Sequence, residues 1–232
     1  MDENTAPREN RLLASLAEAD LHALRSSLRP VTLDSGTTLF EQDERIDQLV
    51  FPLTAAVSLL TVLESGDAHE HVMVGRTGMV GFSALLEDGR SPFRALVQVP
   101  GQALVLPRAD FHSAAADGLR QLAARYSIML LRLAGQAAAC SANHRVEERV
   151  ARSLLRLEDL TGRDAIPITQ EFIALLLGVQ RQTVTLAAGR LQRAGLVQYS
   201  RGRIVIVDRD GLEGASCECY LTMRRAEDRL FD

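Results

Sequence analysis

Hydrophobic and polar positions change their period along the chain, and the changes divide it into sections. Residues 10–25, NRLLASLAEADLHALR, place Leu12, Leu13, Leu16, Leu21 and Leu24 on one helical face, which predicts a short amphipathic helix. From Val31 to about Arg108 the apolar runs shorten to TTLF, QLVFPL, AAVSLLTVL, EHVMVG, FRALVQV and ALVLP. Gly or Pro punctuates them at Gly36, Pro52, Gly66, Gly75, Gly78, Pro92, Gly101 and Pro107. Six to eight short strands with regular turns predict an antiparallel roll or sandwich, with a hairpin turn at ESGD 64–67.

From Ala114 the helical period returns. Leu119, Leu122, Tyr126, Met129, Leu133, Gln136 and Cys140 recur at alternating spacings of three and four. This is the seam of a long helix of roughly 40 Å, and a helix that long usually has a partner along its length. The seam predicts a dimer helix, although part of it must also pack on the chain's own roll. Ser141–Asn143 weakens the pattern and marks a bend. A second helix follows over about 146–160, with Val150, Leu154 and Leu157 facing inward, and TGRD at 161–164 turns the chain.

The next segment predicts two short helices. Thr169 stands at an N-cap position with Glu171 in the first turn, and Phe172, Ile173, Leu176 and Leu177 form the apolar face. Gly178-Val179 breaks that helix. The second helix points Val184, Ala187 or Ala188, and Leu191 inward, and Arg181, Gln182 and Thr185 outward. Side chains on the first half of such a helix meet base edges in the DNA major groove, and Arg and Gln each offer a bidentate pattern there. An ordinary helical hairpin with solvated polar residues fits this segment nearly as well. The balance moves with LVQYS and RIVIVD, a hairpin whose S-R-G-R tip carries Arg201 and Arg203 toward where phosphates would lie.

Composition refines this picture. The chain of 232 residues carries a net charge of −4, which looks wrong for a nucleic-acid binder until its distribution is read. Residues 1–111 hold nine arginines against sixteen acids, whereas residues 165–207 hold five arginines against the single acid Glu171. An acidic body thus carries one basic module. No stretch is long and apolar enough to span a membrane, and the polar start MDENTAPREN reads as a disordered lead rather than a signal peptide. Three cysteines do not make a disulfide framework, so a reducing cytoplasm is expected. No nucleophile–base pair, paired acids or phosphate loop argues for an enzyme.

The run IPITQEFIALLLGVQRQTVTLAAGRLQRAGLV, 166–197, resembles the helix-turn-helix of the Crp/Fnr family of regulators. The F-P-L-x-x-x-V-S-L-L run from Phe51 and the G-x-x-G at 78–81 resemble the family's roll. The resemblance implies an α+β chain. Its parts are a disordered lead (1–10), an antiparallel, cyclic-nucleotide-binding-like β-roll (11–113), a long dimer helix (114–143) and a winged helix-turn-helix (144–232). It implies double-stranded DNA with a two-fold symmetric operator, a second copy of the chain and RNA polymerase as partners, and leaves any small-molecule effector unidentified.

Family members often read DNA with Arg, Glu and Arg. Here these positions hold Arg181, Gln182 and Leu186, so the operator should differ from the family's best-known site. Base contacts are assigned to Arg181, Gln182, Thr185 and Leu186, and phosphate contacts to Thr169, Thr183, Arg201 and Arg203. In the cyclic-nucleotide cassette, Met79 replaces the family's ribose-binding Glu and Phe93 its phosphate-binding Arg, with Arg94 one residue out of register. Met79, Phe93 and Arg94 therefore mark a weak effector pocket that is not expected to take cyclic AMP. No N-terminal cysteine cluster exists for an iron–sulfur sensor, and His69, His71 and His112 define no haem site.

No cofactor is expected. Cys140 and His144, one helical turn apart, together with the C-x-C of Cys217 and Cys219, leave open a metal- or redox-responsive alternative. The plainer alternative is that Cys140 packs in the seam while the tail cysteines cap the winged domain. A ligand-binding or dimerising module without a DNA role is the rival from another class.

Overall fold

The computed structural model describes residues 6–86, 89–110, 116–200 and 202–232. The described residues open with three short helices, α1 (Ala6–Glu9), α2 (Arg11–Ala14) and α3 (Glu18–Leu24). Residues 6–10 are therefore not the disordered lead that their polarity predicts. Asn10 is fully buried, and its Oδ1 accepts from the Leu12 and Leu13 amides at 3.1 Å. Its Nδ2 donates to the carbonyls of Pro52 (2.9 Å) and Gly78 (3.0 Å), pinning the segment to the roll. The predicted single helix over 10–25 is split, because Ser15 turns its hydroxyl back onto Leu12 O at 2.8 Å and ends α2.

Seven strands follow: β1 (Arg29–Leu33), β2 (Thr38–Phe40), β3 (Gln48–Pro52), β4 (Ala56–Val62), β5 (Ala68–Val74), β6 (Arg94–Val99) and β7 (Gly101–Pro107). They form two antiparallel sheets, β1-β7-β3 and β2-β6-β4-β5, facing each other across a core that includes Leu49, Phe51, Val57, Val97 and Leu104. The β4–β5 hairpin turns where expected, with Gly66 at φ +89°.

Helix α4 (Ala116–Asn143) runs 28 residues, about 42 Å at the usual rise. Its predicted seam is used within the chain. Leu119, Leu122, Tyr126, Met129, Leu133 and Cys140 are all at most 7% exposed in a single copy. They pack on the roll and on a C-terminal helix, α9 (Cys219–Phe231). Tyr126 lies edge-on to Phe82 at 5.7 Å and occupies the space that a side chain at Gly78 would need. That packing explains the first glycine of the G-x-x-G run.

The expectation that these residues face a dimer partner is corrected on that ground: they have no surface left to offer. A second seam is left outside. Ala124, Ile128, Leu131, Gly135, Ala138 and Ala142, again spaced four and three apart, are exposed, with Ile128 at 53% and Leu131 at 70%.

Helix α5 (Val146–Thr161) buries Val150, Leu154 and Leu157 as predicted and ends at Gly162, φ +62°. The winged module comprises β8 (Ala165–Pro167), α6 (Gln170–Leu177), α7 (Arg181–Arg193), β9 (Val197–Ser200) and β10 (Arg203–Ile206), with sheet order β8-β10-β9. Two further helices, α8 (Arg209–Ala215) and α9, close the chain and have no counterpart in the sequence reading. Helix α9 returns along α4. Its Glu227 forms a buried two-point pair with Arg156 of α5 at 2.5 and 2.6 Å, and its Asp228 and Phe231 meet Arg11 of α2. Among the described residues no single helix is long and apolar enough to cross a membrane.

Candidate nucleic-acid interface

Helices α6 and α7 meet at 112°, inside the range of a DNA-reading helix pair. The angle has local causes. Thr169 caps α6 by accepting from the Phe172 amide at 3.2 Å, and Gly178 ends it at φ +62°, a conformation costly for residues with a Cβ. Helix α7 then turns Val184, Ala187, Ala188 and Leu191 into the core, as predicted. Its first turns present Arg181, Gln182, Thr183, Thr185 and Leu186 to solvent. Leu186 is 66% exposed, an expensive position for an apolar side chain unless something covers it.

Three features of this surface escape sequence reasoning. Thr185 spends its hydroxyl on Gln170 Oε1 (2.6 Å), bracing α7 against α6. Arg190 is held by Glu147 of α5 at 2.9 Å, so one of the five arginines of the basic segment is neutralised within the chain. Gln180, exposed at the N-cap of α7, joins the presented set. No periodicity singles it out, because it precedes the helix. The wing forms with Ser200 opposite Arg203 and Gly202 at φ +75°. Arg203 is exposed at its base, while Arg201 lies outside the described residues, as does His112.

The residues expected to mark an effector pocket are engaged in three different ways among the described residues. Met79 is fully buried in the roll's core, and the Phe93 ring packs 5.2 Å from His71. Arg94 donates from Nε to Glu41 at 2.7 Å. A cavity of about 420 Å³ opens elsewhere, between β5, α4, α5 and the end of α6, and is lined in part by Glu70, His71, Arg149, Arg152 and Arg156. Burial pushes the Glu70 carboxyl up to about 7, with the hydrogen bond from Ser58 and the charge of Arg152 opposing. Burial likewise lowers His71, whose Nε2 lies 2.5 Å from Thr61 Oγ1.

The tail cysteines do not cap the winged domain. Cys217 and Cys219 reach the end of α4, and one ligand-type atom from each of Cys140, His144, Cys217 and Cys219 lies within 4.8 Å of the others. Cys140 Sγ is 3.5 Å from Cys217 Sγ, and His144 Nδ1 is 3.5 Å from Cys219 Sγ. The hydrogen bond from Cys140 draws the Cys217 thiol down to about 6, and Arg152 adds to this, while the Cys140 thiol is pushed up.

A β-roll joined by a long helix to a winged helix-turn-helix defines a class of DNA-binding regulator. Residues 148–215 match the Crp-like helix-turn-helix domain, and residues 30–117 match the cyclic nucleotide-binding domain. The chain is 27% identical over 204 residues to a CRP-like cAMP-activated global transcriptional regulator of Mycobacterium tuberculosis, covering 82% of this chain and 89% of that protein. In fold it is similar to FixK2 from Bradyrhizobium japonicum (TM-score 0.66, 20% identity, 82% of this chain and 98% of that one). It is also similar to a CRP-family transcriptional regulator from Thermus thermophilus (TM-score 0.64, 21% identity, 82% and 99%). The chain belongs to the Crp/Fnr family of transcriptional regulators. It is a DNA-binding regulator of transcription.

Proposed function

We propose that the protein binds a two-fold symmetric operator as a homodimer and reads it through the first turns of α7. The observation that carries this reading is the solvent-facing set Arg181, Gln182 and Leu186 on the leading half of a helix held at 112° to its neighbour, within the basic segment of an otherwise acidic chain. Arg181 donates to a guanine edge and Gln182 pairs with adenine, while Leu186 covers itself on a thymine methyl. Thr169, Thr183, Arg201 and Arg203 hold phosphates. Thr185 contributes to base reading after exchanging its bond to Gln170.

The dimer forms through the outer seam of α4, where Ala124, Gly135, Ala138 and Ala142 let two backbones approach and Ile128 and Leu131 interdigitate. It places two recognition helices about one DNA turn, ~34 Å, apart. Met79 and Phe93 put apolar side chains where a ribose acceptor and a phosphate-binding cation are expected, and Arg94 is engaged by Glu41. The roll therefore does not take cyclic AMP, and calorimetry with millimolar nucleotide should give no saturable heat. RNA polymerase is the partner that the DNA-bound dimer recruits or blocks, and a small molecule other than cyclic AMP tunes it.

Fluorescence anisotropy on operator and random DNA across a salt series tests the contacts. Arg181→Ala should cost about 1–3 kcal/mol per half-site on the operator alone, whereas Arg203→Ala should weaken both DNAs and lower the salt slope by about one per subunit. An Arg181→Ala variant that loses affinity equally on both DNAs would place that side chain on a phosphate and refute the register of α7.

A further inference from the structure

We propose that Cys140, His144, Cys217 and Cys219 form a closed, four-coordinate site for a single thiophilic divalent cation of the zinc class, which clamps the tail to the α4–α5 junction. The ligand set is three sulfurs and one imidazole nitrogen, a combination that selects zinc over hard cations. Its dimensions fit one ion. With metal–sulfur bonds of about 2.3 Å and metal–nitrogen bonds of about 2.0 Å, the edges of a tetrahedron are roughly 3.8 Å between sulfurs and 3.5 Å from sulfur to nitrogen. The chain holds Cys140 and Cys217 sulfurs at 3.5 Å, His144 Nδ1 and Cys219 Sγ at 3.5 Å, and the whole set within 4.8 Å. Thiolates bound to separate irons of a four-iron cluster have to stand farther apart than this.

The surroundings complete the site. All three cysteines are buried, at most 6% exposed, whereas His144 remains accessible enough to admit an ion. His144 Nε2 lies 4.0 Å from a carboxylate oxygen of Glu218, leaving Nδ1 to the metal in the carboxylate–histidine–metal order common to such centres. Gln136 Nε2 approaches Cys219 Sγ at 3.0 Å, and the Cys219 amide donates to Cys217. Three thiolates and one divalent ion leave one net negative charge. Arg149 and Arg152, both buried beside the sulfurs and each with an Nε that has no hydrogen-bond partner among the described residues, supply the balancing charge. Binding releases the thiol protons to solvent and changes no oxidation state.

The consequence is mechanical. Cys140 lies in the last turn of α4 and His144 in the break before α5, while Cys217 precedes α9 and Cys219 begins it. From α5, Arg149 reaches both Ser141 Oγ (3.0 Å) and Leu177 O (2.6 Å), the last residue of α6. An ion at this point fixes the junction that carries the helix-turn-helix. The proposal is independent of the base and phosphate assignments, so either can fail without the other.

The test uses the full chain purified under reducing conditions without chelator. We expect close to one zinc per chain by elemental analysis, and on cobalt(II) substitution the intense visible bands of a tetrahedral site with thiolate charge transfer in the near ultraviolet. Cys217→Ser, Cys219→Ser and the gentler His144→Gln, on a partly exposed residue, should each lower zinc affinity at least tenfold. The thermal midpoint of metal-free His144→Gln should match that of the metal-free parent, which separates lost ligation from lost folding. Zinc should slow amide exchange over 141–146 at least tenfold. Four outcomes would overturn the site: no zinc or cobalt bound by the reduced chain, iron and sulfide in place of zinc, a Cys140–Cys217 disulfide as the only chemistry, or variants that keep the parent affinity. Unchanged exchange on loading would overturn the clamp.

Discussion

The two seams of α4 make opposite predictions for one kind of substitution. Ile128 and Leu131 leave 53% and 70% of their surface in water in a single copy, whereas Met129 and Leu133 leave 4% and 3%. Covering Ile128 and Leu131 removes roughly 220 Å² of mainly apolar surface per chain, worth about 5.5 kcal/mol per chain and about 11 kcal/mol per dimer at 25 cal/mol per Å². That is comparable with the roughly 4–15 kcal/mol cost of association, so these two residues decide whether the dimer persists. Ile128→Glu/Leu131→Glu forfeits the gain and brings four carboxylates into the interface. Sedimentation velocity should then show folded monomers at micromolar concentration, with parental circular dichroism. Met129→Glu/Leu133→Glu instead forces carboxylates into the packing against the roll and α9. At several kcal/mol each, against a total stability of about 5–15 kcal/mol, this should unfold or aggregate the chain. If the inner-seam variant is a well-folded monomer while the outer-seam variant stays dimeric, the assignment of faces is reversed and the reasoning fails.

Glu227→Ala leaves Arg156 buried without its carboxylate and should cost about 3–5 kcal/mol by denaturant unfolding, whereas the Arg156→Met/Glu227→Leu pair should recover most of that. Recovery no better than the single change would show that α9 is held chiefly by other contacts. Glu70 has a folded-state value raised from 4.5 to about 7, so between those values the folded chain keeps a proton that the unfolded chain has released. Its contribution to stability therefore falls as pH rises through that window and is most unfavourable above pH 7. Glu70→Gln should flatten the decline and raise the melting temperature at pH 8 but not at pH 4; an unchanged pH profile would show that Glu70 is hydrated.

Local rules were enough for much of this molecule. Periodicity placed the strands of the roll, the long helix, α5 and the helix-turn-helix, because each element's burial repeats at short range. Gly66 and Gly178 marked turns that need a left-handed backbone. The basic segment and the leading residues of α7 were legible for the same reason: an exposed helical face is defined by the residues that cannot face inward. What faces what was not legible. An apolar stripe states that a face is covered, not by which surface. The seam from Leu119 to Cys140 looked free only because α9 had not been foreseen, and the outer seam was hidden because four of its six members are Ala or Gly. The tail helices carry several charged residues whose partners, Arg11 and Arg156, lie far away in sequence. Cys140 and Cys217, 77 residues apart, become neighbours only when α9 folds back along α4, because long-range proximity is created by packing and leaves no trace in local spacing.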